Sequence, residues 1–341
     1  MEKIYGKPYS NELLKIKSSF YNENDVLLKE RVRANAIYNQ QPIRKNCKMC
    51  GKPLDGMNHF KSHEVLYYFC DNCHHLNGGH EETADFCEHI YVEEDYGKEY
   101  LENEIIAFHE RTQNIYIPKV DFLLKSLRED GTKDEEIHIL DIGAGSGYFV
   151  NAGIMRKLDI NGIEVSDKQV KFGNYMIGME KLSVVSVTET AECISKTTCN
   201  VVSLIGVLEH LIDFKSILKA IKENKYIQYM FFSVPLFSCS CIFEAVFQEG
   251  FNRHLGGAHT HLFTLDSIDY MNREYGFQEI ARWQFGTDIM DLYRLLSVSL
   301  GGNNSFLKDV LDEKFLACAD EFQFILDKND FCSEVHMLVK K

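Results

Sequence analysis

The sequence predicts an α/β protein built on a doubly wound, Rossmann-like sheet. From residue 137 onward, short β-rich runs alternate with amphipathic helical segments, and the first run ends in a glycine-rich turn. Such alternation is typical of parallel sheets, whose ligands bind at the carboxyl ends of the strands. The seven predicted strands are 137–142, 160–165, 182–187, 200–206, 227–234, 277–286 and 333–341.

The composition indicates a globular, acidic protein. The 341 residues are 45% hydrophobic and carry a formal net charge of -14. This charge opposes passive attraction to phosphate backbones and anionic lipids, so neither nucleic acid nor a membrane is an expected partner. No apolar run reaches the roughly 18 residues that a membrane-spanning helix needs. The start of the chain also lacks the layout of a signal peptide, and we expect a cytoplasmic protein.

Three regions divide the chain. Residues 1–45 carry apolar residues at helical spacing, including Leu13, Leu14 and Ile16 and the run 26–28, and predict a helical lead-in that could form a homodimer contact. A cysteine-containing module at 46–90 follows, and the remainder, 91–341, holds the predicted sheet. At the start of this last region, residues 96–130 predict a helix that Pro118 breaks or restarts.

Two Cys-x-x-Cys pairs mark the module. Cys47 and Cys50 form the first pair, Cys70 and Cys73 form the second, and nineteen residues separate the pairs. This spacing fits a tetrahedral four-thiolate zinc site, which is closed and stabilises a fold without activating water. The redox alternative, two thioredoxin-like pairs, requires a βαβ setting that the surrounding sequence lacks.

The glycine-rich turn follows the first predicted strand. Asp141 ends that strand, and Gly143, Gly145 and Gly147 follow at every second position. A dinucleotide-binding turn has the spacing Gly-x-Gly-x-x-Gly, which this turn lacks. The motif instead resembles motif I of the class I S-adenosylmethionine (SAM)-dependent methyltransferases. At the end of the next strand, Glu164 is placed where a carboxylate can accept hydrogen bonds from both ribose hydroxyls of an adenosine.

The resemblance extends over about residues 105–341. The triplet Leu208-Glu209-His210 is similar to motif IV of this family, and "HTHLFT" at 259–264 is similar to its His-x-x-x-Phe-Thr segment. The resemblance implies a seven-stranded sheet that binds SAM. The implied SAM-binding residues are Asp141, Gly143, Ala144, Gly145, Gly147, Tyr148, Glu164, Val165, Val187, Thr188, Gly206 and Leu208.

The cysteine module narrows the resemblance to one branch of this family. A zinc-binding domain before the SAM domain resembles methyltransferases that act on nucleotide-linked or polysaccharide-bound sugars. The sugar C-methyltransferases of this branch usually carry a further domain after the sheet, whereas this chain ends soon after its seventh predicted strand. We therefore expect a sugar hydroxyl as the acceptor, and structural Zn²⁺ besides SAM.

Three histidines are candidate catalytic bases, because an alcohol must lose its proton as it attacks a methyl group. His210 follows the fourth strand and could alternatively cap the helix after it. His259 and His261 end a predicted lid at about 236–262, where hydrogen bonding within the loop or a second, catalytic metal are the alternatives. Cys239 and Cys241, in the same segment, alternate as strand neighbours would and are assigned to packing.

Other functions stay open at this point. They are a C- or N-methyltransferase acting on a similar sugar, an RNA methyltransferase that uses the module for docking, and a SAM-binding protein without turnover. The module has lysines balanced by carboxylates and no arginine between Cys47 and Cys73, which argues against RNA.

Overall fold

The computed structural model describes residues 2–7, 23–88, 105–257, 259–301 and 305–341. In chain order its strands are β1 (Glu2–Tyr5), β2 (Asn58–Ser62), β3 (Val65–Phe69), β4 (Leu76–Gly78), β5 (His138–Ile142), β6 (Asp159–Glu164), β7 (Leu182–Val184), β8 (Val201–Ile205), β9 (Tyr229–Pro235), β10 (His261–Leu262), β11 (Gln278–Phe285) and β12 (Glu334–Lys340).

The main sheet has eight strands in the order β1-β11-β12-β9-β8-β5-β6-β7. Its strands run parallel except β12, which is antiparallel to both of its neighbours, β9 and β11. The chain passes from β5 to β6 and β7 on one side, then returns to place β8 and β9 on the other. The switch point of this sheet therefore lies between the carboxyl ends of β5 and β8, where such sheets bind their ligands.

The predicted α/β fold is confirmed, with two corrections. All seven predicted strands form, but the count is wrong by one because β1 adds an eighth strand, parallel to β11. The sequence predicts a helical lead-in for residues 1–45, which include β1. The four residues of β1 are too few to show a helical or strand periodicity, so pairing with β11 decides their conformation. The expected parallel direction also fails at β12.

Helices cover both faces of the main sheet, and others pack on the cysteine module. The helices of the described residues are α1 (Asn24–Tyr38), α2 (Ala84–Glu88), α3 (Ile105–Arg111), α4 (Ile117–Glu129), α5 (Tyr148–Met155), α6 (Asp167–Ile177), α7 (Val187–Lys196), α8 (Phe214–Glu223), α9 (Cys239–Val246), α10 (Leu265–Tyr275), α11 (Asp288–Leu300), α12 (Ser305–Val310) and α13 (Ala319–Lys328). Along β5, Ile139 packs in the core with α4 and α5, whereas Leu140 packs in the core with α8 and α10. The sheet is thus buried on both faces, as a doubly wound fold requires.

The predicted helices can be compared with these bounds. Residues 26–28 lie in α1, whereas Leu13, Leu14 and Ile16 lie outside the described residues. A π-helical turn, Thr112–Tyr116, joins α3 to α4, and Pro118 lies in the first turn of α4. This position suits proline, because the first turn of a helix does not need its N–H group. None of the helices in the described ranges is both long and apolar enough to cross a bilayer.

The cysteine module forms a second sheet, with the strand order β10-β4-β3-β2 and antiparallel pairing throughout. Its edge strand β10 comes from the carboxyl-terminal end of the predicted lid rather than from residues 46–90. Within the lid, Cys239 and Cys241 lie in α9, so their interpretation as strand neighbours is wrong. An alternation of two cysteines is too short to distinguish a strand from a helix.

Candidate functional site

The glycine-rich turn lies at the carboxyl end of β5, at the switch point. Gly143, Gly145 and Gly147 have φ values of 67°, 54° and 79°, in the left-handed region that glycine adopts without strain. Among the described residues, a Cβ atom added to Gly145 would meet only the Gln169 side chain, at 3.0 Å, so these residues otherwise leave the space above Gly145 open. Below the turn, the Ser203 hydroxyl donates a hydrogen bond of 2.6 Å to Asp141, whose pKa burial raises to about 7.

Glu164 ends β6 and reaches across to this turn. Its Oε2 atom accepts a hydrogen bond of 2.9 Å from the Gly145 amide, and its Oε1 atom accepts bonds from the amides of Val165 and Ser166, at 2.8 and 3.0 Å. The structure thus brings the glycine turn and the acidic residue together. Together they form a cradle with open space above the turn and a carboxylate at its side.

The other residues expected to contact SAM have different surroundings. Val187 and Thr188 begin α7, just after β7, and β7 is the neighbour of β6 in the sheet. The Val187 side chain is 63% exposed. Leu208 is fully buried in the core, and Tyr148 is buried between the rings of Phe108 and Tyr116. Ala144 and Gly206 belong to the turns that follow β5 and β8; Gly206 has a φ of 69°.

Glu209, His210 and His259 form a cluster beside the cradle, which we call the Glu-His-His cluster. Glu209 and His210 lie in a 3-10 turn just after β8, and His259 follows α9. The rings of His210 and His259 stack with centroids 5.2 Å apart, and His210 Nε2 lies 3.9 Å from Glu209 Oε1. One side-chain ligand atom from each of the three lies within 4.8 Å of the other two.

Burial sets the electrostatics of this cluster. Removal from water disfavours charge, so burial raises the pKa of Glu209 to about 8. Burial, with a smaller contribution from the neighbouring His210, lowers the pKa of His259 well below its usual value. Near neutral pH His259 is therefore neutral, and a neutral imidazole keeps one ring nitrogen that can accept a hydrogen bond or bind a metal.

His261 lies elsewhere, although only one residue separates it from His259. It is fully buried in β10, its Nδ1 atom is 2.9 Å from His75 Nε2, and its ring stacks near Phe214 and Phe263. The two histidines of the His-x-His segment therefore have separate partners. His261 joins the cysteine module to the main sheet, whereas His259 joins the lid to the end of β8.

The four cysteines predicted as a cluster come together. The Sγ atoms of Cys47 and Cys73 are 3.5 Å apart, as are those of Cys50 and Cys70, and all four Sγ atoms lie within 4.8 Å of one another. Four thiolates about 2.3 Å from a zinc ion would lie nearly 4 Å apart. The amide of Asn77 donates to Cys47 Sγ, which supports a thiolate there. The donor set therefore fits Zn²⁺.

Two members of these sites escaped sequence reasoning. The sequence analysis uses Glu209 only as part of the Leu-Glu-His triplet, although its position directly before His210 is a signal that it belongs with that histidine. His75 is not among the predicted site residues. Its partner, His261, is 186 positions away in the chain, and no local pattern could have paired them.

The sheet order, the glycine turn and the acidic residue after β6 define a class I SAM-dependent methyltransferase. A family model described as a methyltransferase domain matches residues 108–281, just over half of the chain, and the chain belongs to this family. No curated protein matches the chain significantly.

Solved structures resemble parts of this chain at low sequence identity. One is a SAM-dependent methyltransferase from Archaeoglobus fulgidus, 15% identical, with a TM-score of 0.41 over 70% of this chain and 100% of the other. Another is the cyclopropane synthase MmaA2 from Mycobacterium tuberculosis, 13% identical, with a TM-score of 0.45 over 67% of this chain and 85% of the other.

Proposed function

We propose that the protein transfers the methyl group of SAM to a hydroxyl of a sugar, with a nucleotide-activated sugar as the acceptor. The observation that carries this proposal is the Glu-His-His cluster at the end of β8, beside the cradle at the end of β5. An alcohol acceptor needs a group that takes its proton, and the partly exposed His210 of this cluster is such a group. An acceptor that is already nucleophilic, such as an amine, needs it less.

The residues of the cradle fit SAM. The open space above Gly145 can take the cofactor, and Glu164 can accept hydrogen bonds from the ribose hydroxyls, with Val187 and Thr188 at the adenine side. When bound, SAM supplies an electrophilic methyl group on a sulfonium. The protein orients the acceptor in line with that methyl group, which can account for much of the rate.

His210 is the residue to which we assign the hydroxyl proton. It is close to the end of β8, its side chain is partly exposed, and its Nε2 atom lies 3.9 Å from Glu209 Oε1. His259 stacks on it and fixes its ring. We assign His261 a structural role, since its ring is fully buried against His75.

We further propose that the cysteine cluster holds structural Zn²⁺. Four thiolates leave the ion no open position, so its contribution is to folding. The module in turn positions the lid, because β4 pairs with β10 and the Gly78 amide donates to the Thr260 carbonyl at 2.8 Å. His259 lies next to Thr260, so the module supports one side of the Glu-His-His cluster.

The test is a titration with S-adenosylhomocysteine, followed by incubation with methyl-labelled SAM and separate panels of nucleotide sugars and RNA. We expect binding, and label transferred to a sugar as a methoxy group in the NMR spectrum of the product. His210→Ala should lose turnover and keep binding, whereas His138→Ala, an exposed histidine at the amino end of β5, should keep both. Label on carbon, nitrogen or RNA would refute the proposed acceptor.

A further inference from the structure

The residues of the Glu-His-His cluster are held by more contacts than a single proton acceptor requires. The Nδ1 atom of His259 lies 3.1 Å from the carbonyl oxygen of Arg253, to which it donates when protonated at that nitrogen. This bond leaves the Nε2 lone pair as the free acceptor of the ring. A histidine that ligates a metal is typically held in this way, through its other nitrogen.

The carbonyl that holds His259 is itself fixed. The Arg253 guanidinium donates to both oxygens of the buried Asp291, at 3.1 and 2.7 Å. The Arg253 amide donates to Glu244 Oε1 at 2.7 Å. Two carboxylates therefore hold Arg253 at both its side chain and its backbone, and with it the carbonyl that the His259 ring contacts.

One carboxylate oxygen of Glu209 is buried in surroundings that the proposed reaction does not explain. Its side chain is 4% exposed, and among the described residues its Oε2 atom has no hydrogen-bond partner. A buried carboxylate oxygen without a partner costs free energy that a bound ion would offset. One ring nitrogen each of His210 and His259 lies within 4.8 Å of this oxygen or of the other oxygen of the same carboxylate.

We infer that Glu209, His210 and His259 bind a divalent transition-metal cation. Two imidazole nitrogens and one carboxylate oxygen suit Mn²⁺, Fe²⁺, Co²⁺ and Zn²⁺, and three protein ligands leave coordination positions open. This set differs from the four thiolates of the cysteine cluster, so the two proposed sites have different chemistry.

The inference deepens the proposed function and rests on it for the role of the ion. A sugar hydroxyl at an open position would have its pKa lowered by the cation. Its oxygen would then form the new bond to the methyl carbon as the carbon–sulfur bond breaks, the electron pair of that bond stays on sulfur, and the hydroxyl proton passes to water. His210 would then be a ligand rather than the base.

The test uses Mn²⁺, which thiolates bind poorly, on full-length protein carrying its zinc. Titration followed by the loss of the free Mn²⁺ signal in electron paramagnetic resonance should show one equivalent bound. Glu209→Gln and His259→Ala should each weaken this binding at least tenfold, while His138→Ala should not change it. Zinc content and the thermal unfolding midpoint show whether each variant is folded.

Two results would overturn the inference. One is folded wild-type protein that binds no Mn²⁺, Co²⁺ or Zn²⁺ beyond the equivalent held by the cysteines, up to millimolar concentration. The other is a bound equivalent that persists in both Glu209→Gln and His259→Ala. Methyl transfer is measured separately, so protein that binds the second ion but methylates no acceptor would refute the proposed function and leave the metal site standing.

Discussion

Replacement of Glu164 tests the cradle most directly. Its carboxylate offers about four acceptor positions, and three of them are filled by the amides of Gly145, Val165 and Ser166. One position therefore remains for a ribose hydroxyl, and a second hydroxyl would have to share an oxygen with an amide. The structure thus supports a gain of about one charge-assisted hydrogen bond on cofactor binding, or about 1.5–3 kcal/mol.

This gain sets the expected result. Glu164→Ala should raise the Kd for S-adenosylhomocysteine roughly 10- to 150-fold, measured by isothermal titration calorimetry. Glu164→Gln keeps one acceptor oxygen for Val165 and Ser166, so it should retain more stability than Glu164→Ala while losing similar affinity. Glu223→Gln, which removes an exposed carboxylate on α8, is the matched control. An unchanged Kd in folded Glu164→Gln would refute the role of this carboxylate in ribose binding.

Two further predictions concern stability. Cys50→Ser should release zinc and lower the free energy of unfolding by more than about 2 kcal/mol. The control Cys318→Ser, at a cysteine outside the cluster, should do neither. Zinc retained in Cys50→Ser would contradict the four-thiolate site. His336 is buried among Phe231, Trp283 and Phe285, and burial lowers its pKa well below the usual value. Below about pH 6.5 only the unfolded state takes up its proton, so stability falls with pH by about 1.4 kcal/mol per unit until the folded pKa is reached. The wild-type protein should lose about 2 kcal/mol more of its free energy of unfolding between pH 7.5 and pH 5 than His336→Phe does, measured by urea unfolding at both pH values. The same loss in both proteins would contradict the assignment.

The main sheet could be predicted because its strands carry local signals. Apolar runs bounded by glycine and charged residues identified β5 to β9, β11 and β12, and the spacing of Gly143, Gly145 and Gly147 indicated the cofactor turn. Each of these signals depends on neighbours in the chain. The direction of β12 has no such signal, because an antiparallel strand and a parallel strand buried on both faces share the same composition.

The parts that escaped prediction depend on contacts between distant residues. β1 is a strand only because β11 is beside it, and β10 is two residues long. The pairing of His75 with His261, and of His210 with His259, follows from where the lid returns to the sheet. The sequence offers His259 and His261 equally as candidate bases, whereas the pairing of β10 with β4 sends their rings to different partners.

The strand that completes the cysteine module has a consequence for biosynthesis. All four cysteines and β2 to β4 leave the ribosome long before His261 and Leu262 are made, so the hairpin can form while β4 still has an unpaired edge. Such an edge can pair with another chain. The nascent protein therefore exposes this edge between translation of β4 and translation of β10, and a chain interrupted within that interval would leave a fragment with an open edge.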